Sequence, residues 1–207
     1  MKIYNYNTKS FPFKEIISNI LETDKLEKIH EIKNYEIFSR EKDQSSDWHK
    51  KYYNNFNKFN ELYVKFIKEV VKPIFNNEEI VYQKIPTFRV QLVGNLGVGQ
   101  FHRDRDYNHG VDEINFWLPF VNVYGNNSIW VESEEGKNDF HPIKLDYGQI
   151  LEFDGANLLH GNKINDSNST RVSVDFRVLK YKNFKPSDKG SINMNSKFDI
   201  GGYFEKM

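Results

Sequence analysis

Apolar residues recur along this chain at two different periods, and the change falls near residue 79. Between Pro12 and Leu21, the residues Phe13, Ile16, Ile17, Ile20 and Leu21 recur at helical spacing, which predicts a first helix. Ser45, Ser46 and Asp47 are suitable N-caps for a second, longer one. Its apolar stripe runs Tyr52, Phe56, Phe59, Leu62, Tyr63, Phe66 and Val70, and is expected to pack as core against a sheet. Pro73 marks its expected end, because proline lacks the N–H and crowds the preceding turn. The polar stretch 33–47 reads as a mobile segment.

From Glu79 onward the runs are short and rich in β-formers. Strands are expected over 81–93, 114–123, 128–132, 140–145, 149–153 and 171–179. In the last of these, Val172, Val174, Phe176 and Val178 alternate with Ser173, Asp175 and Arg177, the period of a half-buried strand. Glycines at 94, 97, 99, 125, 136, 148, 155 and 161 punctuate the runs. Many short strands with glycine turns predict an α+β fold: a double-stranded β-helix, or jelly roll, over 79–180. Mainly helical residues 1–78 would pack on it, and 181–207 would form a loop or lid. The length suits one domain over 1–207.

Composition sharpens this picture in three ways. The 17 Phe and 12 Tyr predict an aromatic core. The formal net charge of zero argues against a general polyanion binder, so no nucleic-acid partner is expected. With no cysteine, disulfides, thiolate metal sites and iron–sulfur clusters are excluded, and any metal must be held by His and carboxylate. The opening residues lack the apolar core of a signal peptide and no run approaches membrane-span length. A soluble cytoplasmic protein without a membrane partner is expected, its oligomeric state not set by the sequence.

Two segments carry candidate chemistry. Gln100-Phe101-His102-Arg103-Asp104 closes one strand-like run, and Leu158-Leu159-His160-Gly161-Asn162 closes another; Thr170-Arg171-Val172-Ser173 opens a third. Residues i and i+2 of an extended backbone point the same way, so His102 and Asp104 can reach one metal while Arg103 points elsewhere. His160 must join them through the fold. Two imidazoles and a carboxylate can occupy one face of an iron(II) ion and leave the other open. Arg171 offers a planar fork that matches a carboxylate, with Ser173 on the same strand face; Arg177 is a rival at the same phase. The His-x-Asp tripeptide is weak alone. The plain alternatives are ordinary histidines at 102 and 160, and an Arg171 paired at the surface with an acid such as Asp175.

The runs FHRDRDYNHG (101–110), EINFWLPFVNVYGNNSIWVES (113–133) and LEFDGANLLHGNKINDSNSTRVSVDFRV (151–178) add to these motifs. Through them the chain resembles the iron(II)/2-oxoglutarate-dependent dioxygenases, more narrowly the small StrG-like branch near the phytanoyl-hydroxylase-like group. The resemblance covers roughly the C-terminal half. It implies a metal triad of His102, Asp104 and His160, an oxoglutarate-binding Arg171, and Fe(II), 2-oxoglutarate and O2 as cofactor and cosubstrates. It implies hydroxylation, or desaturation, of a small polar metabolite of sugar-, amino-acid- or natural-product-like character. Asp104 argues against halogenation, since in this class a small residue at that position frees a site for halide.

Asn115 and Trp117 flank Phe116 and are candidates for the cosubstrate pocket. Ser128, Trp130, Arg89 and Gln91 are further candidates to face the interior, with simple packing the alternative. Arg103, Asp106, Tyr107, His109 and Glu132 are expected to give a polar mouth, and His30, His49 and His141 to be bystanders. Two other functions fit the pattern. A cupin-like non-oxidative metal enzyme, such as an isomerase, would not need Arg171. A jelly-roll carbohydrate-binding module would need no metal.

Overall fold

The helices form where the apolar spacing places them, with one interruption. In the computed structural model, which describes residues 1–32, 44–97, 100–191 and 196–207, α1 (Phe13–Leu21) buries Phe13, Ile17, Ile20 and Leu21. The expected long second helix is broken. Ser46 caps α2 (Asp47–Asn54), its Oγ accepting from the His49 N–H at 3.4 Å. Asn55, at φ −115°, leaves the helical region before α3 (Phe56–Phe66) resumes. A π-turn over Ile67–Val71 widens the helix, so Pro73 fits inside α4 (Lys72–Ile74), which stops one residue later. Most of the polar stretch expected to be mobile, 33–43, lies outside the described residues.

The strands are β1 (Lys2–Asn5), β2 (Ile80–Gln83), β3 (Thr87–Gln91), β4 (Ile114–Pro119), β5 (Trp130–Val131) and β6 (His141–Pro142). They continue with β7 (Gln149–Phe153), β8 (His160–Gly161), β9 (Arg171–Lys180), β10 (Gly190–Ser191), β11 (Ser196–Lys197) and β12 (Phe204–Lys206). The run expected as one strand over 81–93 is two, because Pro86 cannot donate to a ladder; likewise β4 stops at Pro119 and not at Val123. The strands expected at 128–132 and 140–145 shrink to two residues each. The edge strand β1 is too short to carry a period and was not expected.

The main sheet is antiparallel, in the order β1-β7-β4-β9-β2-β12, with β3 also paired to β9. A second sheet has the order β6-β5-β8. The segment before Asp104 joins it through a backbone bridge between His102 and His160. The architecture is thus mixed helix and antiparallel sheet.

β9 is the centre of the molecule. Its Val172, Val174, Phe176 and Val178 belong to the main core, where Phe176 meets Tyr63 at 5.3 Å and Phe116 at 5.5 Å between ring centroids. The half-buried strand expected here is instead buried along Arg171–Leu179 on both faces. The polar face avoids solvent because its charges pair with one another, as described below. The tail, expected as a loop or lid, carries the edge strand β12 on β2, and its Phe198, Tyr203 and Phe204 form a small second cluster with Val81 and Leu179. No helix among the described residues is long and apolar enough to cross a membrane.

Candidate metal centre and adjoining pocket

His102 and His160 face each other across a reciprocal backbone pair, each N–H donating to the other's carbonyl at 3.0 Å. Directly opposed residues of an antiparallel pair project to the same side. Their rings accordingly lie 4.6 Å apart. Gly161 permits this approach: a Cβ there would lie 3.0 Å from the Phe101 Cα. Asp104 arrives two residues after His102, its N–H held by the Gly155 carbonyl at 2.9 Å. Gly155 is itself required by closeness, since a Cβ would lie 2.4 Å from Asn115 Nδ2.

Each imidazole is oriented by its far nitrogen. His102 Nδ1 donates to the Gln100 carbonyl at 2.8 Å and His160 Nδ1 to the Leu158 carbonyl at 3.0 Å. A carbonyl can only accept, so both rings carry their proton on Nδ1 and present a lone pair at Nε2. These nitrogens lie 3.3 Å and 3.5 Å from Asp104 Oδ1. Two ligands at right angles, each about 2.1 Å from one ion, are about 3 Å apart. The three ligand atoms fall within 4.8 Å of one another, and the donor set of two imidazoles and one carboxylate fits a divalent metal with an open face.

The other oxygen of Asp104 is fully engaged. Oδ2 accepts from Asn115 Nδ2 at 2.7 Å, Arg177 Nε at 3.0 Å and Arg177 Nη2 at 2.8 Å. Only Oδ1 is left to face the imidazoles. Burial disfavours the ionised carboxyl, yet the adjacent Arg177 guanidinium outweighs it and holds Asp104 well below the usual carboxylate range. A chain of alternating charge continues from here. Arg177 Nη1 donates to Asp175 Oδ2 at 2.6 Å, and Arg89 Nε donates to Asp175 Oδ1 at 2.9 Å. Asp175 too stays low in spite of burial, because two guanidiniums flank it.

A pocket enclosing about 510 Å³, counting its open mouth, runs between His102, His160 and Arg171, walled by Trp117, Ile129 and Phe153. Arg171 is 2% exposed. Its Nη1 donates to Asn162 Oδ1 at 2.7 Å, and its guanidinium lies 5.8 Å from the Trp117 ring centroid. The surface pairing of Arg171 with Asp175 is therefore not formed; Asp175 is taken by Arg89 and Arg177. Ser173 shares this face, and its buried Oγ meets no hydrogen-bond partner among the described residues.

The structure thus brings together His102, Asp104, His160, Asn115, Trp117, Arg171, Ser173, Arg89 and Arg177. It sets others apart. Gln91 Nε2 donates to the carbonyls of Asn95, Leu96 and Lys163, and Ser128 Oγ donates to that of Ile143. Trp130 lies beneath Lys163, whose Nζ is 3.4 Å from its ring centroid. The polar mouth is thinner than expected. Glu132 is buried and accepts from the N–H groups of Leu159, Gly136 and Asn138. Arg103 turns away from the triad to the Asn157 carbonyl, Asp106 caps its backbone, and His109 is half-buried against Glu113 at 2.7 Å. Tyr107 is well exposed, as is Asp106, and its ring stands edge-on to His102 at 5.2 Å. His30 and His49 contact Thr170 and Ser46, and His141 is exposed. Asn162 was missed, although its place two residues beyond His160 in an extended segment put it on the same face.

These two sheets, with the histidine pair between them, define a known class of fold. Over 97% of this chain and 88% of the other, the structure is similar to that of SnoK, a non-heme alpha ketoglutarate dependent carbocyclase from nogalamycin biosynthesis (TM-score 0.64, 12% identity). No established family profile matches the chain. In sequence it is 35% identical over 202 residues to the streptomycin biosynthesis protein StrG of Streptomyces griseus, spanning 97% of this chain and 95% of that protein. The chain belongs to the StrG family. The relationship embraces the helical half as well as the motifs at 101–180.

Proposed function

We propose that this protein is a non-haem iron(II)- and 2-oxoglutarate-dependent oxygenase that hydroxylates a small polar metabolite. The observation that carries this is the convergence of two Nε2 lone pairs on Asp104 Oδ1 at one end of a pocket whose other end holds the buried Arg171. The strand order supports a jelly roll: β7-β4-β9-β3 lies in one sheet, and the His102 segment, β8, β5 and β6 continue in the other. Kinship with a streptomycin biosynthesis protein favours a natural-product-like substrate. We assign a soluble cytoplasmic setting, where both cosubstrates are at hand.

His102, Asp104 and His160 would hold iron(II), and Arg171 with Ser173 would hold the far carboxylate of 2-oxoglutarate. When bound, iron, the keto acid and dioxygen together supply an oxidant for a C–H bond, with release of succinate and carbon dioxide. The chain's own residues set the conditions. Arg177 and Asn115 fix Asp104 through Oδ2, so the carboxylate offers one oxygen in one direction. Trp117 and Phe153 keep water from the region between Arg171 and the triad. There the guanidinium interacts with a carboxylate more strongly than it would in bulk water. Asp104 occupies the position that would otherwise be open to a halide, which favours hydroxylation.

A cupin-like isomerase would not need the buried Arg171, and a binding module would not need the two oriented imidazoles. The test is spectroscopic. Anaerobic protein with iron(II) and 2-oxoglutarate should develop a visible charge-transfer band, and a screen of small polar metabolites should find one that stimulates succinate formation. Metal binding without the band would refute the assignment.

A further inference from the structure

Arg89 lies on β3 between Phe88 and Val90, which are buried in the aromatic core. Its own side chain turns to the other face and lines the pocket. There Nε is committed to Asp175, but Nη1 is buried and meets no hydrogen-bond partner among the described residues. A buried guanidinium N–H without an acceptor is costly, which points to an acceptor supplied from outside the chain. In the ladder Arg89 stands opposite Ser173, whose buried Oγ is also without a partner, and the next polar-face rung is Gln91 opposite Arg171. The ion pair to Asp175 draws the Arg89 head from that rung toward the metal end. Arg177 has no such spare capacity, since Nε and Nη2 serve Asp104 and Nη1 serves Asp175. Three guanidiniums, Arg89, Arg171 and Arg177, thus face two carboxylates, Asp104 and Asp175.

We infer that Arg89 is a second carboxylate-binding residue, donating from Nη1 to the cosubstrate along its path between Arg171 and the metal triad. This rests on the 2-oxoglutarate assignment above and adds a recognition element to it. The same chemistry could serve either end of 2-oxoglutarate, and two probes separate them. Oxoglutarate carries both carboxylates, whereas oxalate can chelate the metal but cannot reach Arg171.

The experiment is calorimetric titration of each probe into protein loaded with nickel(II), which blocks turnover, comparing the unaltered chain with Arg89→Met. The substitution leaves Asp175 paired with Arg177. Oxoglutarate should bind about tenfold or more weakly, as loss of one charge-assisted hydrogen bond gives, while nickel affinity stays unchanged. A parallel loss for oxalate places the contact at the metal-end carboxylate, and an intact oxalate affinity places it at the far one. Oxoglutarate affinity equal to that of the unaltered chain, with normal nickel binding, would overturn the inference and leave the enzyme class standing. If the unaltered chain itself fails to bind oxoglutarate, the class assignment falls and the inference with it. Arg89→Lys guards against misfolding. It keeps a cation beside Asp175 but cannot serve Asp175 and the pocket at once, so it should show the same loss in a milder form.

Discussion

The two faces of β9 are equally dry and stabilised in opposite ways. On one face Val172, Val174, Phe176 and Val178 lie in an aromatic layer with Tyr63, Phe88 and Phe116, where stability comes from area removed from water. On the other, Arg171, Ser173, Asp175 and Arg177 are buried with no apolar gain to offset it. Their charges survive there because each meets an opposite charge or a strong acceptor in fixed geometry. The difference teaches that the apolar face sets where β9 lies, while the polar face is tolerable only in one arrangement. That arrangement is the site.

The largest effect should come from removing a member of the triad. His160→Ala deletes one of three candidate ligands and should abolish succinate formation and most nickel or iron binding. The thermal midpoint should move little, because the ring is held by a single hydrogen bond to Leu158 and contacts with His102 and Phe153. Calorimetric metal titration of the folded variant is the measurement. Metal affinity equal to that of the unaltered chain would refute the assignment of His160.

The opposite face should break in the opposite sense. Phe176 is fully buried, so Phe176→Ala should cost about 3–5 kcal/mol of stability through lost burial and the cavity left behind. Urea unfolding would report it. Metal affinity of the remaining folded protein should be unchanged, because Phe176 lies on the far side of the strand from the site.

Arg171→Gln tests the polar face alone. Loss of one partner of a desolvated charge pair typically costs about 2–5 kcal/mol, or roughly thirty-fold and more in oxoglutarate affinity. Iron affinity should stay unchanged, and Arg171→Lys should recover only part of the loss, since an ammonium cannot form the fork. The same substitution at Arg177 should have a smaller effect on oxoglutarate affinity and show itself instead at Asp104, which Arg177 holds. An oxoglutarate loss confined to Arg177 would show that the cosubstrate lies the other way round.

Both arginines occupy the same phase of β9, which is why the sequence named the pair but could not choose between them. What separates them is their partners: the register of β4 sets Asn115 opposite Arg177 next to Asp104, while Arg171 donates to Asn162. Such long-range pairings leave no periodic trace. Local signals were legible: the i, i+2 relation of His102 and Asp104, the alternation in β9 and the Ser46 cap. The prolines were legible too, and Pro86 and Pro119 could have split or shortened their strands. Glu132 was not. Its role depends on a turn that aims the N–H groups of Gly136 and Asn138 at one buried carboxylate, and no spacing reveals that.

The smallest expected effect concerns His49, an imidazole in the apolar layer next to Phe88. His49 is 2% exposed, with its ring 5.5 Å from that of Phe88. Burial, assisted by the Arg89 cation on the neighbouring position, pushes its imidazole down to about 4. The unfolded chain takes up this proton near pH 6.5 and the folded chain only near pH 4. Between those values the unfolded state binds more protons, so stability falls as pH falls; above about 6.5 neither state is charged and the effect vanishes. At pH 5 the loss should be about 2 kcal/mol. His49→Phe keeps an aromatic ring against Phe88 and removes the titration. Thermal midpoints of the two proteins, measured across this window, should diverge as the solution is made more acidic, the variant holding up better. Parallel curves between pH 7 and 4.5 would show that His49 is protonated in the folded protein and that the layer is wetter than its packing indicates. Acid loss common to both proteins then belongs to the carboxylates of the polar face, where Asp104 and Asp175 hold stability that protonation removes only at lower pH.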